Sequence, residues 1–411
     1  MIIKKQLFII ILLSPLILIN ASRAQVKNSI YSIGGIGQMI DYNYGINRLM
    51  GGTGIAFQSG LSINCVNPAS YLGVPPSSFT IETGVYGIYN KSSDGIISKT
   101  TGSINLSYLL ANLYLTDRWA LSFGVLPISS IDYTVHSTDE VGGELTKYEK
   151  EYSGTGGLSQ GYIGNSFKLL KGLTAGFNAA YILGNITKAE IGGGDNSYKE
   201  YTLENRRTVY GLYLDYGMQY SIERKGWLYT LGAIYGHNKT LNTVDDLNFT
   251  CNDTTIALTQ DQQSDIKMPI KIGLGISMKK GNNFRIGLDY LWRNWENSSF
   301  SASAFKTRNS DRISIGLEFS PGKPQLKDFE RVYCRLGANY QNSYIEIDNI
   351  RIKSFGVNAG IGIPLKRNNN LNLSVEYGEE GTLYKDLVKN KYWSFYLFFS
   401  LHEFWMGKVK L

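Results

Sequence analysis

From Ser78 onward, apolar and polar residues alternate with a period of two, the side-chain period of a β-strand. The plainest case sets Trp393, Phe395, Leu397, Phe399 and Leu401 on one face. Tyr392, Ser394, Tyr396, Ser400 and His402 fall on the other, with Phe398 out of pattern. "IKIGLGISM" sets Ile270, Ile272, Leu274, Ile276 and Met278 against Lys271, Gly273, Gly275 and Ser277, and "RIGLDYLWR" and "RISIGLEFS" repeat the pattern. Short turns fall at 117–118, 170–172, 223–226 and 279–283, and longer polar loops are expected at 136–146, 188–199 and 241–265. This punctuation divides residues 78–403 into about fourteen strands. A soluble sandwich also alternates. A glycine-rich polar face and connections that switch between short and long favour instead a transmembrane antiparallel β-barrel. Backbone groups in lipid must all be paired, so strands cross a bilayer only as a closed barrel.

Composition sharpens this picture. The chain has 29 Tyr among 411 residues, which suits strands and membrane-interface positions. Residues 1–24 carry Lys4 and Lys5, an apolar run broken by Pro15, and the small-residue pattern Ser22-Arg23-Ala24. They are expected to be a signal peptide cleaved after Ala24, which would export the protein to the outer membrane of a Gram-negative cell. No later apolar run approaches the length of a helical span. Setting aside Lys4, Lys5 and Arg23 leaves 38 basic against 34 acidic side chains, too even a balance to imply nucleic acid. Cys65, Cys251 and Cys334 are far apart and odd in number, which argues against a disulfide framework.

Between leader and strands lies "NRLMGGTGIAFQSGLSINCVNPASYLG", residues 47–73, about half small residues, with Arg48 as its one charge. A barrel lumen wide enough to pass solute leaks unless something fills it. A segment with Gly51, Gly52 and Gly54 followed by Asn67-Pro68-Ala69 can fold compactly there. Residues 25–77 are therefore read as a hatch inside the lumen and residues 78–411 as the barrel.

"MGGTGIAF" followed by "NPASYL" resembles the hatch of the FadL-like outer-membrane transporters, and 156–184 is similar to a hairpin of such barrels. The resemblance implies a fourteen-stranded barrel with a lumenal hatch. It further implies diffusion of long-chain fatty acids or other hydrophobic small molecules, with outer-membrane lipids as surroundings and no cofactor. A related branch serves secretion or envelope assembly, which leaves a structural or interaction barrel as the alternative. In this family the third strand is kinked and leaves a lateral opening. Pro127, which lacks a ladder donor, is the corresponding candidate here, with Ser129 and Ser130 beside it. A bulge near the rim is the plainer reading of Pro127.

Inward-facing Lys271, Arg285, Arg293, Arg312 and Arg335 are candidates for pairing with a fatty-acid carboxylate. The alternative is that they pair with Asp289, Glu318 and the hatch. Tyr86, Tyr213, Tyr333, Tyr396 and Phe398 either line an apolar path or pack against the hatch. An enzymatic barrel needs a nucleophile held against a base. His136, His237 and His402 are scattered, "HEFWM" is not HExxH, and the Asp-rich stretch 245–265 matches no defined metal site. No catalytic or metal-binding set emerges.

Overall fold

The computed structural model describes residues 29–40, 44–140, 147–194, 200–251, 254–281, 283–296, 298, 305–320, 332–365 and 369–404. The expected leader lies outside them. The segment ahead of Ser78 holds a 3-10 turn at Ile30–Ser32, the two-residue strand β1 (Gln38–Met39), one α-turn at Gly45–Arg48 and a 3-10 turn at Pro68–Gly73. Strands follow: β2 (Ser78–Ser93), β3 (Ser98–Thr116), β4 (Trp119–Pro127), β5 (Ser129–Glu140), β6 (Lys147–Leu170) and β7 (Leu173–Gly194). Next come β8 (Tyr201–Arg224), β9 (Trp227–Gly236), β10 (Lys239–Cys251), β11 (Thr254–Met268), β12 (Ile270–Lys280) and β13 (Phe284–Asn294). The last are β14 (Lys306–Thr307), β15 (Ser310–Phe319), β16 (Tyr333–Ile347), β17 (Ile350–Pro364), β18 (Asn370–Gly381) and β19 (Lys389–Phe404). The pairs β4/β5, β9/β10, β11/β12 and β14/β15 each make one stave, so the wall has fourteen. It closes where β19 runs antiparallel to β2, from Phe404 opposite Ser78 to Lys389 opposite Ser93.

Burial is inverted relative to a water-soluble protein. On β19 the apolar Trp393, Phe395 and Leu397 are exposed, while Ser394, Ser400 and His402 are buried. That arrangement is stable only if hydrocarbon meets the outer wall. Aromatics mark the edges of the apolar band. Trp119 stacks on Phe167 at 6.3 Å and Trp227 meets Phe284 edge-on near the short turns, and Tyr89 sits opposite Trp393 toward the other end.

The structure differs from the sequence reading in the polar stretches. The expected loops at 188–199 and 241–265 are largely strand, because β7 reaches Gly194, β10 reaches Cys251 and β11 resumes at Thr254. Beyond the bilayer both faces of a strand are wet, so alternation fades while the backbone ladder continues. Charges then face each other across strands: Asp245 lies opposite Arg207, with Nε–Oδ1 at 2.6 Å.

Candidate functional site: a plugged lumen beside a broken stave

The segment ahead of Ser78 packs inside the barrel, where wall glycines let its backbone approach. Gly287, Gly316 and Gly337 are cross-strand neighbours on three successive staves, and Gly232 pairs with Gly275. A Cβ on Gly337 would stand 2.0 Å from the Gly51 nitrogen, and one on Gly232 2.2 Å from the Ile55 oxygen. No larger residue fits at either position without displacing the plug. On the plug side Gly51 and Gly52 have φ of 68° and 81°, a left-handed turn that glycine enters without strain.

Polar groups complete the seat. The Asp289 carboxylate accepts from Gly54 N at 2.6 Å and Ile55 N at 2.8 Å, and Arg312 Nη2 donates to Gly51 O at 2.8 Å. Arg48, the one charge in that stretch, pairs with Glu376 at 3.0 Å and lies 4.0 Å above the Tyr396 ring. Asn67 accepts from Ala69 N at 3.0 Å, capping the turn that Pro68 begins. Its amide nitrogen donates to Ile55 O at 2.7 Å and to Met218 O on β8 at 3.2 Å. Ser166 Oγ donates to Ala69 O at 2.9 Å, so the Asn-Pro-Ala turn is held by the wall on two strands. Half-buried nearby, the Cys65 thiol has its pKa pushed up, first by desolvation and then by the Glu82 carboxylate.

The inward cations have partners. Lys271 Nζ lies 2.6 Å from Asp215, and Arg335 pairs with Glu318 at 2.7 Å while donating to Asn372 at 2.9 Å. Arg285 approaches the same Glu318 at 3.9 Å, and Arg293 is buried beside the cavity described below. Tyr86, Tyr213, Tyr396 and Phe398 are buried, whereas Tyr333 is half-buried with Arg335 5.2 Å from its ring.

The third stave breaks at Pro127. β4 pairs with β3 no further than Val125 opposite Leu109, and Ile128 separates it from β5. β5 turns away from β3 yet stays laddered to β6, from Ile131 opposite Gly156 onward. Across the break, β6 carries Gly156 at φ 111° and Gly157 at φ 146°, and Ile128 N donates to Leu158 O at 2.8 Å. The other edge of β5 is taken by the plug: β1 pairs Gln38 with Ser130 and Met39 with Ser129. Ile40 N donates to Ile128 O at 2.9 Å, and the Tyr44 hydroxyl donates to the Pro127 carbonyl. Ser129 Oγ accepts from Leu158 N at 3.2 Å, and Ser130 is buried. Among the described residues, β3 from Ser98 to Tyr108 has β2 as its only ladder neighbour. A cavity of about 90 Å³ lies where the plug (Tyr44, Cys65), the break (Leu126, Ile128) and the wall cations Lys271 and Arg293 meet.

Sequence reasoning passed over Tyr44, the β1–β5 pairing and the roles of Arg48 and Asp289. Arg48 carried a signal, as the single charge in an otherwise neutral stretch, and Asp289 was expected only as an ion-pair partner of the inward cations. The inward glycines were visible as a class, but not as a seat.

Several solved structures share this fold. The P. putida toluene transporter TodX has a TM-score of 0.58 at 15% identity, with 89% of this chain and 99% of that chain covered. The Ralstonia pickettii toluene transporter TbuX has a TM-score of 0.58 at 12% identity, covering 86% and 97% respectively. A Pseudomonas aeruginosa FadL homologue has a TM-score of 0.57 at 12% identity, covering 91% and 100%. At such identities the likeness is one of architecture: a FadL-like barrel. No curated protein sequence matches the chain significantly. The sequence model of one family, BamG, matches residues 1–411 from end to end. A match of that extent settles membership: this fourteen-stave barrel belongs to the BamG family.

Proposed function

We propose that the protein is an outer-membrane channel through which hydrophobic small molecules, such as long-chain fatty acids, diffuse past the plug and leave sideways into the bilayer. The observation that carries this reading is the gap beside β3 where β5 bends inward at Pro127. An apolar solute gains by such a route, since its chain stays out of water at about 0.8 kcal/mol per CH₂. The FadL-like architecture supports it, because structures of that fold include toluene transporters. The test is uptake of a labelled long-chain fatty acid by cells carrying Pro127→Val at equal surface abundance. Val restores a ladder donor and favours a regular strand, so uptake is expected to fall several-fold while folding and insertion are unchanged. Equal uptake removes the lateral route.

A second reading rests on a different observation. The plug is tied to the wall at every turn, and the cavity at its seam is about 90 Å³. Ligand sites usually enclose roughly 300–1,000 Å³. A barrel so filled also suits a structural role, holding partner proteins of secretion or envelope assembly. It predicts a stable complex in native membranes and no solute flux.

A further inference from the structure

We infer that the outer wall across the closing seam of the barrel is a site for one phosphorylated, multiply acylated glycolipid of the outer leaflet, its phosphate held by Lys91 and Lys391. The inference goes beyond both functional readings and rests on neither.

The strand register builds the site row by row. Leu336, Ala359, Val375, Phe395, Gly87 and Ile104 lie side by side across β16–β19, β2 and β3, each opposite the next. Gly87 is the low point between Phe395 and Ile104, and Ala359 the low point between Leu336 and Val375. The wall there is hollowed into a shallow apolar groove of about 1330 Å³. A drug-sized ligand fills roughly 300–1,000 Å³, so the hollow has room for several acyl chains side by side. The next outward-facing row is aromatic, with Tyr377 opposite Trp393 and Trp393 opposite Tyr89. Aromatic residues at such a position mark the headgroup level. Short turns face the periplasm, so this opposite rim meets the outer leaflet.

The row above the aromatics carries the charge. Lys391 falls directly opposite Lys91, and both are exposed. Like charges placed opposite each other destabilise a strand pair. The other cross-strand neighbour of Lys91 is Thr100, which brings no counter-charge. Glu379 is shared, lying 2.6 Å from Lys389 Nζ and 3.7 Å from Lys391 Nζ. Exposed Lys353 stands opposite Asn342, and Asp311 beyond it is taken by Arg351 at 2.9 Å. Positive charge is therefore in excess on this face, and lysine binds phosphate as a point charge.

The two features are spaced as a lipid is. From Lys91 to Gly87 is four residues, about 13 Å of strand. Half of an apolar band about 25 Å tall is a similar depth. Acyl chains hanging from a phosphate at the lysines thus enter the groove within one leaflet. Inorganic phosphate would neutralise the lysines and leave the groove empty, and a neutral lipid would do the reverse. An anionic lipid does both. It also bridges β2 and β19, so it straps the seam at which the wall closes.

The test extracts the full-length protein from native outer membranes in nonionic detergent and weighs it intact by native mass spectrometry. One retained glycolipid per barrel is expected. Lys91→Gln combined with Lys391→Gln should lower that occupancy at least about tenfold, with the heat-shifted gel band unchanged. Gly87→Leu should lower it as far by filling the hollow. A Cβ at Gly87 lies 3.7 Å from Ile104 Cγ1, an ordinary contact, so the wall is not strained. In phosphatidylcholine nanodiscs, added lipopolysaccharide should raise the temperature of the heat-induced mobility shift for the wild type and not for the double lysine variant. Unchanged occupancy in either variant overturns the inference. So does an equal rise with dephosphorylated lipopolysaccharide, with inorganic phosphate or with a diacyl phospholipid. Benzoylphenylalanine in place of Phe395 should label glycolipid in native membranes, and an adduct with a protein instead would assign the groove to that protein and overturn the lipid site.

Discussion

The hydroxyl of Tyr44 donates to the carbonyl of Pro127, which ties the plug to the residue where the third stave breaks. Around that bond, Ile40 and β1 pair with Ile128, Ser129 and Ser130, so the inner edge of the bend is made partly of plug.

Tyr44→Phe keeps the ring, which packs edge-on against Tyr108 at 5.7 Å, and removes only the donor. A buried hydrogen bond of this kind contributes about 1 kcal/mol. The expected result is a normally folded barrel whose ion-conducting openings in planar bilayers are roughly fivefold more frequent. Identical opening frequencies would show that the tie does not restrain the plug.

Gly337→Val places side-chain carbons where the Gly51 nitrogen sits. Overpacking of this kind costs about 1–3 kcal/mol, and expelling the plug relieves it. Raised conductance, or loss of protease protection of residues 44–77, is the expected outcome. Gly161→Ala is the control, since nothing lies within 4 Å of a Cβ there. Equal behaviour of the two variants would mean the glycine seat is not needed.

Arg335→Met strips Glu318 of its 2.7 Å partner and leaves it Arg285 at 3.9 Å, with Lys279 as a further nearby cation. Breaking a buried pair from one side costs about 3–5 kcal/mol, because the remaining charge stays desolvated. The heat-induced mobility shift on gels should therefore occur at a lower temperature, and adding Glu318→Gln should restore part of the difference. An unshifted transition would show that this pair is not buried in the membrane-inserted barrel.

Cys65 offers a pH test. Its thiol pKa is raised by burial, so the reactive thiolate appears only above the ordinary thiol range. In the folded protein, maleimide is expected to leave Cys65 unmodified from pH 7 to pH 9, and unfolding should release it. Prompt labelling of Cys65 at pH 8 would show that the plug does not bury this residue. All three cysteines are free in the structure, so no reductant dependence is expected.

Alternation by itself determined that the chain is built of strands, which side chains meet lipid, and that the sheet must close. Those are local properties: a period of two reports the medium on each face, and lipid leaves no backbone group unpaired. The segment ahead of Ser78 stood apart by contrast, as a small-residue stretch without period. Tertiary structure alone decided the rest. Whether polar residues such as Asp245 and Arg207 belong to a loop or a ladder depends on where the bilayer ends, which their own pattern does not record. Which carboxylate Arg335 takes depends on the register of β15 against β16, where Glu318 falls opposite it. That β5 leaves β3 for β1 follows from the fold of the plug, whose two-residue strand is too short to announce itself in sequence. Proline at 127 permits the break, because it lacks a ladder donor. The edge of β5 beyond it is taken at Ser129 and Ser130 by β1, a pairing that exists only once the segment ahead of Ser78 has folded.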